Sequence, residues 1–346
     1  IDPSITIKFK LIDTTLPNTY LLVWTTTPWT LPSNLAVCVN PNLTYYLLES
    51  LKDNNNYVIA KECLENYFKK REEYKLIKPI LGKNLINKSY EPIFRYFYND
   101  FKDVAFKIIA DNYVEATNGT GLVHIAPAFG KDDFRICQEN NIINKVDKLP
   151  PCPLDDNGRF IDIITDFKGL YIKDADSKII DNLTERKIIF IKRQEKHSYP
   201  FCWRSDTPLI NKTVPCWFIK VEKIKDKIII NNKLTEWVPK NIRDNKFGKW
   251  LENSIDWCVS RNRYWGTPIP IWTSSDYEEI ICIGSIEELE SLAELPKGSI
   301  KDLHRHSIDN ITIKSKKGKG LLRRINEVFD CWFESGSMPY AQHGYP

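Results

Sequence analysis

One stretch of ten residues, Thr25–Asn34, constrains the fold of this chain more than any other part of the sequence. It contains four threonines, a serine, an asparagine and two prolines, and it follows the apolar run Tyr20–Trp24. Because a proline fixes its own φ angle and restricts the residue before it, Thr27 and Leu31 favour an extended backbone. The pattern predicts a buried strand that ends in a stiff, hydroxyl-rich turn suited to gripping a polar ligand. A purely structural role is equally open at this point, because threonine is common in strands and proline in turns.

The composition and the cysteines are typical of a globular protein from a reducing compartment. The 346 residues are 42% hydrophobic and 12% aromatic, which is enough for a full core and about two domains. Nine cysteines are scattered without a CxxC pair, and their odd number argues against a disulfide framework. No run approaches about 18 consecutive apolar residues, so we expect no membrane span. Because the chain lacks an initiator methionine and a signal peptide pattern, we expect a cytoplasmic fragment of a longer protein.

Positive charge is concentrated in one part of the chain. Residues 191–250 contain 14 lysines and arginines against 6 acidic residues, whereas residues 1–190 are close to neutral. A basic segment beside a neutral domain is typical of a protein that a nucleic acid touches on one side. The alternative is a lysine-rich surface that contacts only solvent.

The periodicity of apolar residues predicts more strands than helices. We predict strands over residues 19–25, 35–39, 43–48, 93–98, 104–110, 122–125 and 188–191, and helices over residues 59–73, 131–140 and 175–187. The predicted fold class is β-rich α+β, with a β-barrel and peripheral helices followed by flanking α/β segments. We place the barrel-like domain at residues 1–191, a basic connecting segment at 192–254, and a third segment at 255–346.

A second stretch, Gly119–Asp133, carries residues that could do chemistry. Its first two glycines allow a close backbone approach before a strand, His124 lies within that strand, and Asp133 falls in the first turn of the following helix. Taken alone, His124 is more often a core residue and Asp133 more often a helix cap. No nucleophile elbow and no HExxH motif accompanies them.

Together the two stretches resemble the editing domain of isoleucyl-tRNA synthetases, in the form found in eukaryotic cytosolic enzymes. The resemblance continues through three further motifs in family order: His197–Ser205, Trp257–Pro270 and Phe329–Ser337. The valine and leucine enzymes are similar but carry an arginine-proline-acid version of the first motif. The sequence Thr27-Pro28-Trp29 in this motif therefore favours the isoleucine enzymes.

The resemblance implies a hydrolase that removes valine wrongly attached to the isoleucine tRNA. For the isoleucine enzymes themselves, one missing methylene is worth only about 1–3 kcal/mol, so a second site must destroy the smaller product. By matched position, Asp133 would anchor the α-ammonium group and His124 would limit side-chain size. The threonines and Asn34 would contact the amino acid and the terminal adenosine, whose free ribose hydroxyl helps to activate water. The predicted catalytic residues are Thr25, Thr27, His124 and Asp133, and the predicted substrate-binding residues are Thr25, Thr26, Thr27, Asn34, His124 and Asp133.

The resemblance also implies what this chain does not do. The HIGH-type and KMSKS-type motifs of the ATP-dependent site are absent from the 346 residues, so we expect no ligase activity from them. Editing needs no cofactor, and ATP and magnesium belong only to the full-length synthetase. Trp257–Pro270 and Phe329–Ser337 belong to the catalytic half, towards which residues 255–346 return. Where some relatives have a zinc-binding CxxC, this chain has Cys202-Trp-Arg-Ser205, so we expect no metal and a buried thiol at Cys202.

The expected partner is the 3′ end of tRNA(Ile) carrying valine, bound by a monomer that contacts no membrane. Two other functions stay open. The chain could be a tRNA-binding appendage without chemistry, in which the basic segment does all the work. It could also be the editing domain of a valyl- or leucyl-tRNA synthetase.

Overall fold

A computed structural model describes residues 2–13, 15–144, 148–196 and 198–345. The chain divides into two compact units, residues 1–213 and 214–346. The functional boundaries predicted at 191/192 and 254/255 stay predictions.

The first unit is built on a ten-stranded sheet with four α-helices among the described residues. Its strands are β1 (Asp2–Ile12), β2 (Thr19–Thr25), β3 (Ala36–Val39), β4 (Thr44–Ser50), β5 (Asn56–Ala60), β6 (Tyr74–Leu81), β7 (Ser89–Tyr90), β8 (Lys107–Ala110), β9 (Leu122–Ile125) and β10 (Ile189–Glu195). Its helices are α1 (Leu64–Tyr67), α2 (Tyr98–Phe101), α3 (Lys131–Glu139) and α4 (Ile172–Glu185). The strand order is β6-β4-β5-β2-β1-β7-β8-β3-β9. The tenth strand, β10, lies outside this order and pairs with β1.

The long first strand, β1, joins the two halves of this sheet. Its residues 2–7 pair with β10, residues 5–10 pair with β2, and residues 11–12 pair with β7. Among the described residues, β6 pairs only with β4 and β9 only with β3, so the sheet is not closed. The predicted β-rich α+β class is confirmed, but the predicted barrel is wrong. Because β1 changes partners along its length, it links two half-sheets and does not take a place in a ring.

The core lies between the sheet and the two longer helices. β3 is buried along its whole length, as expected for a strand covered on both faces. α3 contributes Ile136 and Cys137 to the core, and α4 contributes Ile172, Ala175, Ile179 and Leu183. In α4 these apolar residues recur every three or four positions, which is the spacing of a helix with one buried stripe.

Several element predictions are confirmed and others are wrong. The strands predicted over 19–25, 35–39, 43–48 and 122–125 and the helices over 131–140 and 175–187 are present within a few residues. The helix predicted over 59–73 is right only for the short α1 (Leu64–Tyr67), because Ile59 and Ala60 pair with β4 and the chain turns extended at Phe68. The strand predicted over 93–98 is also absent from the described chain, where that segment is irregular and leads into α2.

The second unit consists of short strands and helices. Its strands are β11 (Phe218–Ile219), β12 (Trp257–Cys258), β13 (Ser260–Arg261), β14 (Ile271–Thr273), β15 (Ile280–Cys282), β16 (Thr312–Lys314), β17 (Leu321–Arg324) and β18 (Val328–Phe329). Its helices are α5 (Lys225–Lys233), α6 (Gly248–Glu252), α7 (Ile286–Leu292), α8 (Arg305–Ile308) and α9 (Cys331–Ala341). A four-stranded sheet in the order β15-β14-β17-β16 surrounds a small core centred on Trp272 and Leu322. Over the described residues of both units, no helix has the length and apolar character needed to cross a membrane.

Candidate functional site

The threonine-rich stretch forms a buried turn directly after β2. Thr25 is the last residue of the strand, and residues Pro28–Ser33 form a 3-10 helix in which every residue is buried. The Thr25 hydroxyl accepts a hydrogen bond from the Thr27 amide at 3.1 Å, which closes the chain between strand and turn. The proline at the start of the turn suits this position, because the first turn of a helix needs no amide donor there.

Four side chains form a continuous hydrogen-bonded chain at this turn. The Oγ1 atoms of Thr25 and Thr27 are 3.3 Å apart, and those of Thr27 and Thr30 are also 3.3 Å apart. Thr30 Oγ1 then lies 2.9 Å from His124 Nε2. Thr30 also donates its proton to the Thr27 carbonyl at 2.8 Å. With that proton used, the Nε2–H of His124 is the donor to Thr30.

His124 is a neutral side chain in this arrangement. It lies in β9 opposite Val37 of β3, and its side chain is buried. Burial lowers the pKa of His124 to about 4, because a charged imidazolium would lose its hydration there. Its Nδ1 atom is buried and has no hydrogen-bond partner among the described residues. The ring is therefore uncharged, and its Nδ1 atom is an acceptor without a partner among the described residues.

Asp133 is held close to the same segment by the backbone. Its Oδ2 accepts a hydrogen bond from the Ala126 amide at 2.8 Å, two residues beyond His124. A Cβ at Gly130 would lie 2.8 Å from Asp133 Cγ, so the glycine leaves the room that this carboxyl occupies. Burial raises the pKa of Asp133 to about 6, and the nearby Asp132 adds to the rise. A carboxylate that is costly to ionise gains most from a cationic partner.

The two other predicted binding residues lie differently. Thr26 is half-buried, and within the described ranges no hydrogen bond involves its side chain. Asn34 is buried, donates to the Ala36 carbonyl at 2.8 Å and accepts from the Tyr90 hydroxyl at 2.7 Å. Its amide thus ties β3 to β7 and is not part of the hydroxyl chain. Substrate contact by Asn34 stays a prediction.

Sequence reasoning missed two residues of this site. Thr30 belongs to the singled-out stretch, and its distance of three residues from Thr27 is the period of a 3-10 turn. That spacing was the available signal. Asp176 accepts a hydrogen bond from the Trp29 amide at 3.0 Å, although the two residues are 147 positions apart. No local pattern connects them.

The two tryptophans near the threonines, Trp24 and Trp29, pack against other residues. The indole of Trp29 is buried and meets the ring of Phe129 edge to face, with the ring centroids 4.8 Å apart. Trp24 is half-buried against Gly119, where a Cβ would come within 2.8 Å of the indole. The close approach expected of this glycine is confirmed.

The third motif provides no metal site among the residues that the structure describes. His197 lies outside the described residues. Cys202 is half-exposed, so the predicted buried thiol is wrong, and a hydrogen bond with the Ser205 hydroxyl lowers the pKa of the thiol. No group of three or more histidine, cysteine, aspartate or glutamate side chains in the described ranges could hold a metal ion. The absence of a metal in the working protein stays a prediction.

Comparison with known proteins identifies the family. The family model described as "tRNA synthetases class I (I, L, M and V)" matches residues 21–346. The chain belongs to the class I tRNA synthetases. This membership covers both units and confirms the resemblance inferred from the five motifs.

Curated relatives of this class I synthetase chain carry one amino-acid specificity in their names. It is 51% identical to "Isoleucine--tRNA ligase" of Tetrahymena thermophila, covering 100% of this chain and 32% of the relative. It is also 51% identical to the cytoplasmic isoleucine--tRNA ligase of Schizosaccharomyces pombe, with 100% and 32% covered, and 50% identical to that of Mus musculus, with 100% and 27% covered. The class I chain therefore spans about a third of the length of these relatives.

The solved structures that align with this chain include editing domains of leucyl-tRNA synthetases. The editing domain of the P. falciparum cytosolic leucyl-tRNA synthetase aligns with a TM-score of 0.41 and 12% identity, covering 56% of this chain and 100% of that chain. The corresponding P. knowlesi domain gives a TM-score of 0.40 and 12% identity, with 56% and 97% covered.

Proposed function

We propose that this chain is the editing part of an isoleucyl-tRNA synthetase and hydrolyses the ester that joins valine to tRNA(Ile). The names of the relatives at 50–51% identity support the isoleucine specificity. Those relatives are about three times longer, and the class-wide HIGH-type and KMSKS-type motifs lie outside this sequence. Ligase activity with ATP and magnesium therefore belongs to the longer protein and not to these residues.

One observation carries the hydrolytic proposal: an unbroken chain of hydroxyls ends on a neutral histidine, beside a carboxyl whose ionised form burial disfavours. The Oγ1 atom of Thr27 lies 3.3 Å from that of Thr25 and 3.3 Å from that of Thr30, so the three hydroxyls form a row. A threonine hydroxyl can rotate and exchange one of these partners for a water molecule or an ester oxygen, which suits the binding of a polar group here. A surface that only bound RNA would have no need of a buried polar chain of this kind.

The reaction follows from these groups without a covalent intermediate. The α-ammonium group of the esterified amino acid pairs with the Asp133 carboxylate, which fixes the ester carbonyl near the threonine hydroxyls. A water molecule held there attacks the carbonyl carbon, and the bond to the ribose oxygen breaks. The proton of the water goes to the ribose oxygen, so the products are free valine and tRNA with its terminal hydroxyl restored.

His124 supplies the discrimination in this proposal. Its neutral ring is buried and fixed by Thr30, so it can set an upper limit to the side chain beside it. Valine fits and isoleucine, with one more methylene, does not. A steric limit suits this task because rejection by clash costs more than the loss of one apolar contact.

The remaining parts of the proposal concern partners and location. The basic segment 191–250 would hold the tRNA backbone. The cytoplasmic names of two of the relatives above favour a cytoplasmic protein. The monomeric state is part of the proposal and rests on none of these names. The isoleucine names of the relatives disfavour a valyl or leucyl enzyme. A binding appendage without chemistry is disfavoured by the hydroxyl chain.

The deciding experiment measures deacylation of valine-charged and isoleucine-charged tRNA(Ile) by the 346-residue protein. We expect fast loss of valine only, and no deacylation by Asp133→Ala. Asp132→Ala is the matched control, because Asp132 is exposed on the same helix turn and pairs with Arg135 at 3.3 Å. Binding of valine-charged tRNA without any turnover would refute the hydrolytic proposal in favour of the appendage.

A further inference from the structure

The first amide of the turn that carries Thr27 and Thr30 has no hydrogen-bond partner within the turn. The Thr27 side chain does not cap the 3-10 helix, and Pro28 has no amide proton. The Thr30 amide bonds to the Thr27 carbonyl at 3.0 Å, which leaves the Trp29 amide without a partner inside the turn. A buried amide with no acceptor is costly, so this donor needs a partner from elsewhere.

Asp176 provides that partner from a distant helix. It lies in the first half of α4, which packs against the turn, and its Oδ1 accepts from the Trp29 amide at 3.0 Å. The residue is only 5% exposed. Burial raises the pKa of Asp176 to about 7, with the Trp29 amide and Lys173 opposing the rise and Asp2 adding to it. A buried carboxyl in a helix is costly, and the hydrogen bond from the Trp29 amide offsets part of that cost.

We propose that Asp176 is a positioning residue of the editing site, acting through the Trp29 amide on the two threonine hydroxyls that flank it. Trp29 lies between Thr27 and Thr30 in the chain. Any shift of its backbone changes the 3.3 Å spacing of their Oγ1 atoms and the 2.9 Å contact from Thr30 to His124. Within the described ranges, Asp176 itself makes no hydrogen bond to the hydroxyl chain.

The expected consequence is a loss of rate and not of affinity. The α-ammonium contact at Asp133 and the RNA contacts of the basic segment do not involve α4, so the larger part of ground-state binding is retained. A displacement of about 1 Å in a catalytic arrangement can cost about 100-fold in rate. We therefore expect Asp176→Ala to lower kcat by about 10- to 100-fold while KM stays within about twofold.

The conservative variant separates positioning from general stability. Asp176→Asn keeps an oxygen that can accept from the Trp29 amide, so we expect it to restore kcat to within about threefold of the native value. Asp174→Ala is the matched control, because Asp174 is an exposed aspartate two positions earlier on the same helix. It removes a carboxyl from the same helix without touching the turn, and its kcat should be unchanged.

The test combines deacylation of valine-charged tRNA(Ile) with amide hydrogen exchange of the Thr25–Asn34 segment, using the 346-residue protein throughout. Since the inference rests on the proposed editing function, the exchange measurement gives it a readout that needs no activity. We expect exchange at the turn to rise by about tenfold or more in Asp176→Ala and to stay near native in Asp176→Asn and Asp174→Ala.

The outcomes separate the two proposals. An inactive native protein with turn exchange that depends on Asp176 refutes the editing function but supports the role of Asp176 in holding the turn. An active native protein in which a folded Asp176→Ala keeps its kcat refutes the positioning role alone. Failure of a folded Asp176→Asn to restore kcat would also refute it, because the acceptor oxygen would then not be what matters.

Discussion

His124 combines a low pKa with a free ring nitrogen, and both follow from where its strand places it. β9 turns the side chain into the interior, where Thr30 is its hydrogen-bond partner. A histidine in this state is a poor general base at neutral pH in spite of being neutral, because its pKa of about 4 leaves little driving force for proton transfer. Its size and its fixed position are what the geometry offers.

Replacing His124 with alanine should therefore change selectivity. We expect His124→Ala to deacylate isoleucine-charged tRNA(Ile), because the wall that excludes the extra methylene is gone. The gain should exceed the roughly 10- to 200-fold that one methylene is worth in a fitted pocket, because the rejection is by clash. The measurement is the ratio of kcat/KM for valine-charged and isoleucine-charged tRNA.

A bulky replacement is the matched control for this change. His124→Phe keeps a ring of similar size without a polar atom, and it should continue to reject isoleucine. An unchanged ratio in a folded His124→Ala would show that another residue limits side-chain size.

The raised pKa of Asp133 predicts how the rate depends on pH. Only the ionised carboxyl pairs with the substrate's ammonium group, so kcat/KM should rise about tenfold per pH unit below the pKa of about 6 and level off above it. The rates should be measured between about pH 5 and 7, below the usual α-amino pKa of about 7.7–8.0, with uncatalysed ester hydrolysis subtracted. His124 stays neutral over this range. A flat profile would mean that Asp133 is not the ammonium anchor.

At the scale of elements, the glycines before β9 fit one strand against another. Ala60 at the end of β5 donates its amide to the Thr120 carbonyl at 3.0 Å. A Cβ at Gly121 would lie 2.4 Å from the Ala60 side chain, and the φ angle of Gly121 is +74°. Gly121 therefore serves two needs at once, a left-handed backbone and a close approach between strands.

Gly121→Ala should destabilise the first unit by about 1–3 kcal/mol more than Gly169→Ala. Gly169 belongs to the same unit and has the same φ of +74°, but among the described residues nothing lies within 4 Å of its Cβ position. The left-handed strain is thus equal in the two variants, and the difference measures the close approach alone. Equal losses in thermal or denaturant unfolding would show that β5 and the Gly119–Gly121 segment separate readily.

Local sequence pattern predicted the elements that have a distinct apolar run or stripe. It failed where pairing with a strand far away in the sequence determines the conformation. The sequence located β2, β3, β9 and α3, because their apolar runs or stripes are long enough to be distinct. It missed β1, although Ile5, Ile7 and Phe9 alternate in it, and it mistook the end of β5 for a helix because Leu64 and Phe68 lie four residues apart. For a short segment, pairing with a partner strand outweighs helical spacing.

The candidate site shows the same limit. The motifs predicted Thr25, Thr27, His124 and Asp133. In the structure, hydrogen bonds through Thr30 connect the first three of these side chains. Asp133 is bound to the amide of Ala126, two residues after His124. The link from Asp176 to Trp29 could not be predicted, since it depends on how α4 packs and on no nearby residue pattern.

At the scale of the whole molecule, the charge distribution makes a prediction about tRNA binding. Lys223, Lys227 and Lys233 are exposed in the basic segment, and none forms a salt bridge among the described residues. Replacing all three with alanine should weaken tRNA binding regardless of the attached amino acid. It should also make the slope of log K against log salt shallower by about 0.7–0.9 for each phosphate group that is no longer neutralised.

Three lysines of the first unit are the matched control for this variant. Lys52, Lys61 and Lys69 are exposed in the neutral part of the chain, and replacing them removes the same charge. Equal reductions of affinity in the two triple variants would mean that overall charge governs binding and that the basic segment has no special part in it.

The pairing of β1 with β10 places Asp2 directly opposite Glu195 in an antiparallel ladder. Strand neighbours in such a ladder lie only about 5 Å apart, so the chain enters and leaves this sheet at nearly one point. A module with adjacent ends can be spliced into a surface loop of another protein without stretching either partner. The sheet of the first unit therefore begins and ends in adjacent strands, so the two ends of this sheet ask of a host loop no more than a gap the width of two strands.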